Sequence, residues 1–278
     1  MFWTIYHVYT VIPALIIELI GAFFIGKALK GKSEKIRLIP IQVITIILLV
    51  LEVAKQLYGL ITGYDLYSIP LHYCSLFLFI FPFVSFYKGK HKDIFRCLGA
   101  VISACLFLFM TVYPNLIYPA EDVINCGNFL TFKTSYFLGF HTVFFHCIAM
   151  ASFPLFLVLD LFEFNLKRDL LSVLAWFAGY CIIVAPISHI IKVNFNNFYH
   201  CNNAALENFR LSMVDKIGWV GQLIYVLMIS IGTIIVPILA YFLFKGCKIL
   251  VDKTLFKKPQ IEENNWVLQG FRVIIYYF

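Results

Sequence analysis

Charged residues are scarce in this sequence, and their scarcity excludes a soluble globular domain. Asp, Glu, Lys and Arg make up 13% of the 278 residues, whereas 62% are hydrophobic. The mean hydropathy is +0.87. A soluble domain of this size does not carry so little charge on its surface. The sequence therefore predicts an integral membrane protein.

Motifs for metal ions and nucleotides are also missing. The sequence contains no HExxH or CxxC pattern and no Walker A or dinucleotide-binding motif, so we expect no metal site and no cofactor. The first apolar segment lacks the basic start and small-residue cleavage site of a signal peptide, and we expect it to be retained. Most of the eight cysteines lie in apolar segments, which excludes a disulfide framework. Cys126 and Cys201 fall between such segments, and their spacing leaves open whether they pair.

Seven apolar segments are long enough, at about 20 residues each, to cross the hydrocarbon core of a membrane. We predict an all-α protein, a polytopic bundle of seven transmembrane helices over residues 1–251, with a cytoplasmic tail over residues 252–278. The predicted helices are Ile5–Gly26, Leu38–Leu60, Ile69–Phe86, Ile94–Tyr113, Ser135–Leu159, Leu170–Ile191 and Trp219–Phe244, and the two long loops are Pro114–Thr134 and Lys192–Gly218.

Positive charge is distributed unequally between the two sides of this topology. Most of the 22 Lys and Arg residues follow the first, third, fifth and seventh predicted helices. Basic loops stay in the cytoplasm, so we expect an external amino terminus and a cytoplasmic carboxyl terminus in a multi-pass protein of the cell membrane. Loop lysines that set topology account for the net charge of +7, and no nucleic-acid partner is expected. The sequence does not predict an oligomeric state.

Ionisable residues interrupt the apolar segments, mainly in their outer halves. Glu52, Lys55, Gln56 and Gly59 recur at helical spacing and form one polar stripe that is expected to face the bundle interior. Charged groups at this depth cost about 3 kcal/mol each on insertion, which favours a cavity, a partner or a reaction. Mutual neutralisation of Glu52 and Lys55, which would join helices without chemistry, is the alternative.

A cysteine and three histidines lie at comparable depths on the next helices. His72 and Cys74 begin the third predicted helix, whereas His141 and His146 lie about 9 and 16 Å below the outer end of the fifth. On a helix, Cys74 would be about 200° from His72, so a base for a Cys74 nucleophile is expected from another helix. His146 is the candidate. Considered singly, a buried cysteine is more often inert and a membrane histidine more often a hydrogen-bonding residue.

Three stretches resemble a known family. They are LEVAKQLY, YDLYSIPLHYCSL and FFHCIAMASFPLFLV, the last with a histidine eight residues before a proline. In this order they resemble the YwaF-like family of bacterial integral membrane proteins, which is related to eukaryotic transmembrane acyltransferases and more distantly to the androgen-induced family of intramembrane lipid hydrolases. The resemblance implies a seven-helix bundle and acyl transfer between membrane lipids. It implies Cys74 as the acyl-accepting nucleophile and His146 as its base.

The predicted function is thus an intramembrane acyltransferase or lipid-ester hydrolase with membrane lipids as partners. Residues predicted to bind substrate or support the reaction are Glu52, Lys55, His72, His141 and Trp219. A non-catalytic carrier or receptor for a small polar solute is the alternative, with Glu52, Lys55 and His72 lining its site. A structural or assembly role without chemistry is a third possibility.

Overall fold

A computed structural model describes residues 2–131 and 136–255 of the chain. Within these ranges the chain forms eleven α-helices and no β-strand, which confirms the all-α prediction. The helices are α1 (Ile5–Leu29), α2 (Glu34–Arg37), α3 (Ile39–Thr62), α4 (Leu76–Phe86), α5 (Lys92–Val112), α6 (Ala120–Leu130), α7 (Phe137–Met150), α8 (Ser152–Leu159), α9 (Leu166–Ile191), α10 (Ala204–Ile217) and α11 (Trp219–Thr254). Helix α11 continues to Thr254, and the cytoplasmic tail over residues 252–278 stays a prediction. Residues 256–278 lie outside the described ranges.

Within residues 2–131 and 136–255, six helical segments are long and apolar enough to cross a membrane, so the seven predicted spans are not all confirmed. The six are Ile5–Leu29, Glu34–Thr62, Lys92–Val112, Phe137–Leu159, Leu166–Ile191 and Trp219–Thr254. The fourth of these bends at Ala151, between α7 and α8. Pro154 explains the bend, since proline has no N–H to donate to the carbonyl of Met150.

The predicted third helix, Ile69–Phe86, is an α-helix only in its second part. Its first part is extended and ends in a 3-10 turn at Tyr73–Ser75, which leaves α4 with 11 residues. Such a helix is about 17 Å long, roughly half the hydrocarbon core. Pro70 lacks an amide hydrogen and favours an extended residue before it, which opposes a helix at this point. His72 has extended backbone angles, so the predicted angle between His72 and Cys74 does not apply.

Helix α5 lies at the centre of the bundle and packs against α4, α7, α8, α9 and α11. Its residues from Arg96 to Leu106 are all buried. Small side chains allow this close packing, because a Cβ added at Gly99 would lie 2.7 Å from Val84 Cγ2. In contrast, α1 lies at the periphery and exposes most of its large apolar side chains, as expected for a lipid-facing helix.

Both long loops of the predicted topology contain helices. The first contains α6, which packs along α7, and the second contains α10, which packs along α11. Gly218 reverses the chain between α10 and α11 with a φ of 58°, and Arg210 Nη1 donates to Gln222 Oε1 across the pair at 2.8 Å. Hydrogen bonds from Arg210 lower the pKa of Glu207, one turn earlier on α10, to about 2, so this ion pair within α10 is formed at neutral pH and holds the guanidinium that binds Gln222.

The basic pole is the end of the bundle formed by residues 30–38, 87–92, 160–168 and 245–255. Here the turn between α8 and α9 exposes carbonyl oxygens that no helix satisfies. Three arginines from different parts of the chain donate to them. Arg37 Nη1 donates to the carbonyls of Leu159 and Asp160 (both 2.6 Å), Arg96 Nη1 to that of Leu161 (2.7 Å) and Arg168 Nη2 to that of Glu163 (2.6 Å).

Candidate functional site

The extended segment before α4 is held in place by side chains from neighbouring helices. Gln56 Nε2 on α3 donates to the carbonyl of Ser68 at 2.8 Å, and the hydroxyl of Tyr180 on α9 donates to that of Leu71 at 2.9 Å. Non-helical backbone at membrane depth is tolerated where protein groups satisfy it. Broken helices of this kind form the binding sites of many membrane proteins. The segment is therefore the natural starting point for a site.

Glu52 lies opposite this segment and is the point on which several polar groups converge. Glu52 is buried, with 8% of its surface exposed. Lys55 Nζ lies 2.8 Å from Oε1, and Gln56 Nε2 donates to the same oxygen at 2.7 Å. His141 Nε2 on α7 lies 3.7 Å from Oε2, outside hydrogen-bond distance but well within electrostatic range. The carboxylate thus connects α3 to α7.

This arrangement bears on the alternative in which Glu52 and Lys55 merely neutralise each other. The pair does form. However, Gln56 and His141 approach the same carboxylate from two further positions, so the pair belongs to a larger polar cluster. His141 Nε2 is buried and has no hydrogen-bond partner among the described residues.

His146 lies one and a half turns further along α7 and is held in one tautomer. Its Nδ1 is 2.7 Å from the carbonyl oxygen of Thr142. A carbonyl accepts and cannot donate, so Nδ1 carries a proton, and in the neutral imidazole the lone pair is then on Nε2. The ring lies 5.5 Å from that of Phe145 and 6.1 Å from that of Tyr118. Helix α7 thus supplies an imidazole that, in its neutral form, accepts a proton at Nε2.

Cys74 is the middle residue of the 3-10 turn and is partly exposed. Its thiol interacts electrostatically with Lys55 and Glu52. His146 interacts in the same way with His72 and Lys55, and His141 with Lys55 and His146. Cys74, His141 and His146 thus all interact with Lys55. We call the six residues Glu52, Lys55, His72, Cys74, His141 and His146 the polar cluster.

His72 is fixed by its own segment. Its Nε2 donates to the carbonyl of Tyr67 at 2.9 Å, and its ring lies 4.3 Å from that of Tyr67. On the other side, Phe195 from the loop after α9 packs 5.1 Å from the imidazole and is fully buried. The loop between α9 and α10 therefore covers this side of the cluster.

Trp219 is the sequence-predicted site residue that the structure places elsewhere. It is the first residue of α11 and is 76% exposed. Conversely, Tyr180 and Phe195 contact the site and were not predicted from the sequence. Tyr180 carries a hydroxyl group inside an apolar helix, and this feature of the sequence could have indicated a role in the site. Nothing in the sequence around Phe195 indicates one.

Neither a disulfide nor a metal centre is formed by the described residues. Cys126 and Cys201 are both buried free thiols. No group of three or more His, Cys, Asp or Glu side chains in residues 2–131 and 136–255 has the arrangement of metal ligands. The polar cluster is instead a set of a carboxylate, an ammonium, three imidazoles and a thiol.

The fold and this cluster define a multi-pass helical membrane protein with an ionisable site beside a broken helix. A family model for the TMEM164 family matches residues 2–244, and the chain belongs to that family. No curated protein and no solved structure matches the chain. The match confirms a transmembrane family over nearly the whole chain, while the narrower YwaF-like resemblance stays a prediction.

Proposed function

We propose that this protein transfers acyl groups between membrane lipids, with Cys74 as the nucleophile and His146 as the general base. The observation that carries the proposal is the polar cluster itself. It places a partly exposed thiol in the electrostatic range of Lys55, and Lys55 in the range of a histidine whose Nε2 is free to accept a proton. Acyl transfer through a thioester requires these two groups.

In the first half of the reaction, the proton of Cys74 Sγ passes to His146 Nε2. The sulfur then attacks the carbonyl carbon of a lipid ester, and the bond to the ester oxygen breaks. The proton on Nε2 goes to the departing oxygen, which leaves as an alcohol. The acyl group remains on Cys74 as a thioester.

In the second half, the hydroxyl of an acceptor lipid gives its proton to His146 Nε2 and attacks the thioester carbonyl. The carbon–sulfur bond breaks and the proton returns to Sγ, so that a new ester and the free thiol are produced. Water in place of the acceptor would give hydrolysis instead.

The remaining members of the cluster support these steps. Burial disfavours the thiolate form of Cys74, and the ammonium of Lys55 acts against this effect. Glu52 holds Lys55 at 2.8 Å. We assign supporting roles to His72 and His141. The positive-inside rule places the basic pole in the cytoplasm, so the protein would act in the cell membrane on lipids of the outer leaflet.

A lipid-ester probe that transfers a reporter acyl group to thiols tests this proposal. We expect labelling of the wild-type protein in membranes, and loss of labelling in Cys74→Ala, Cys74→Ser and His146→Ala. Cys147→Ala is the matched control, because Cys147 is also partly exposed and adjoins His146 on α7. It should retain the label.

Two outcomes would contradict the proposal. They are an unlabelled wild type whose Cys74 still reacts with a small alkylating reagent, and undiminished labelling of Cys74→Ala. If Cys74→Ala had no effect on any activity while Glu52→Gln abolished the binding of a small polar solute, the carrier alternative would replace the enzyme. Glu52 and Lys55 side chains retain 11% and 14% exposure, which that alternative also requires.

A further inference from the structure

A cavity lies near the basic pole, between the turn before α5 and the first half of α9. Its volume is about 450 Å³, and it is open to the surface. Tyr87, His91, Phe95, Ser172 and Trp176 are among the residues that line it. None of these belongs to the polar cluster, whose members lie on α3, α7 and the segment before α4. The cavity therefore needs an explanation of its own.

The lining combines polar and apolar side chains. Its polar members, Tyr87, His91 and Ser172, lie in the turn before α5 and the first two turns of α9. The apolar members include Phe95, Leu98 and Trp176, of which Trp176 lies about 15 Å along α9. A cavity near the basic pole that offers both polar groups and an apolar wall suits a phospholipid.

Aromatic rings form the apolar wall of this cavity. The ring of Phe95 stacks on Phe83 at 4.7 Å, meets Tyr87 edge-on at 5.3 Å and meets Trp176 edge-on at 6.5 Å. These contacts hold the wall open as a rigid apolar surface. The surroundings are also lipid-facing, since Phe83 and Phe86 on α4 and Leu171 and Leu174 on α9 are exposed.

The charge around the polar end of the cavity is positive. Lys88 and Lys90 flank Tyr87 and His91 in the same turn and are exposed, as is Lys167 at the start of α9. Nearby charges of the opposite sign are already paired. Glu34 binds Lys92 and Arg96, and Asp93 binds Arg168. The hydroxyl of Ser172 donates to the carbonyl of Arg168, so the donors for an anion are the lysines, His91 and Tyr87.

We infer that this cavity binds an anionic phospholipid of the leaflet at the basic pole, with one acyl chain against Phe95 and Trp176 and the phosphate beside Lys88, Lys90 and His91. Lysines near an anionic membrane surface each strengthen attraction by about fivefold. The bound lipid is a structural or regulatory ligand, distinct from the substrate of the proposed reaction.

Trp176 is a built-in reporter of this site. Replacement of Trp3, Trp219 and Trp266 by Phe leaves it as the single tryptophan of the four in the chain. The variant is placed in phosphatidylcholine vesicles with increasing fractions of phosphatidylglycerol that carries brominated acyl chains, which quench tryptophan on contact. Brominated phosphatidylcholine is the comparison. We expect half-maximal quenching at about a 25-fold lower fraction of phosphatidylglycerol than of brominated phosphatidylcholine, since two lysines contribute about fivefold each.

Two sets of variants separate a site from general surface attraction. Lys88→Gln/Lys90→Gln should remove most of the preference for phosphatidylglycerol. Lys32→Gln/Lys35→Gln removes the same charge from exposed residues of another turn at the same pole and should change the preference less than twofold. Ala175→Leu, which adds bulk to the cavity lining, should reduce quenching by both lipids.

Equal quenching by the two lipids would overturn the inference. So would equal effects of the two double lysine variants, which would mean attraction by surface potential alone. Relief of quenching by soluble glycerol phosphate would show that the site takes a free phosphate compound and not a membrane lipid.

Discussion

At the scale of single residues, the notable group is Lys55, an ammonium in the interior of a membrane bundle. Such a charge persists where it is compensated, and Glu52 compensates it at 2.8 Å. The removal of one partner leaves the other buried and unpaired, which costs more than the removal of both. The contribution of this pair to stability can therefore be measured separately from its part in the proposed reaction.

Glu52→Gln should destabilise the protein by about 3 kcal/mol, because it leaves Lys55 buried without its counter-charge. Lys55→Met should cost less, since a methionine fills the space and Gln56 still donates to Glu52. The double variant Glu52→Gln/Lys55→Met should recover most of the loss. Unfolding of the purified protein in mixed micelles measures each value, and additive losses in the double variant would show that the pair is not coupled.

At the scale of elements, the broken segment before α4 determines where the site lies. Three carbonyls in residues 67–71 are satisfied by side chains of Gln56, His72 and Tyr180. Of these, Tyr180 acts from the far side of the segment, on α9. Its hydroxyl fixes the backbone three residues before Cys74 and so orients the 3-10 turn.

Tyr180→Phe removes one hydroxyl and keeps the ring. We expect a loss of about 1 kcal/mol in stability, because a buried carbonyl loses its donor, together with a larger fractional loss of acyl-probe labelling at Cys74. Tyr9→Phe is the control, since Tyr9 is 71% exposed on α1. If Tyr180→Phe lowered stability but left the labelling rate unchanged, the segment would not depend on Tyr180 for its orientation.

Hydropathy predicted the long helices well and the break poorly, for a physical reason. Mean hydropathy over Ile69–Phe86 reflects the apolar side chains of this segment. It does not reflect the hydrogen-bond donors on α3 and α9 that satisfy the carbonyls of an extended backbone in the membrane. The local signal was Pro70. For α10, the signals were stronger and were missed: Asn203 caps its first turn by accepting from Ala205 N and Leu206 N, and Gly218 ends it.

The polar stripe on α3 could be predicted from helical spacing, whereas the residues that contact it on other helices could not. Glu52, Lys55 and Gln56 share a face by periodicity alone. That His141 meets Glu52 depends on the packing of α3 against α7, which a single sequence does not encode in any local pattern. Whether Cys126 and Cys201 pair could likewise be decided only from the structure, in which both are free thiols.

At the scale of the whole molecule, α5 connects the two ends of the bundle. It is buried along most of its length, and at the basic pole its Arg96 is 2% exposed. Arg96 binds Glu34 at 2.8 Å and the carbonyl of Leu161 at 2.7 Å. One side chain on the central helix thus joins the start of the second span to the turn between the fourth and fifth.

Arg96→Gln should lower the stability of the whole bundle by about 3 kcal/mol, because a buried carbonyl loses a charged donor and Glu34 loses its buried partner. Lys92→Gln is the matched control. Lys92 binds the same carboxylate at 2.7 Å but is 36% exposed, and its loss should cost less than about 1 kcal/mol. Thermal unfolding of both variants in the same lipid compares them, and equal losses would contradict a structural role specific to Arg96.

The three arginines on the turn between α8 and α9 also have a consequence for synthesis. Arg37 and Arg96 enter the membrane early, whereas the carbonyls they bind and the third donor, Arg168, emerge later. The second and third spans are therefore not fastened to this turn until the fourth span is complete. A nascent chain that stops short of Leu159 would leave the Arg37 guanidinium without the two carbonyls that it binds in the finished bundle, while Arg96 would keep its ion pair with Glu34.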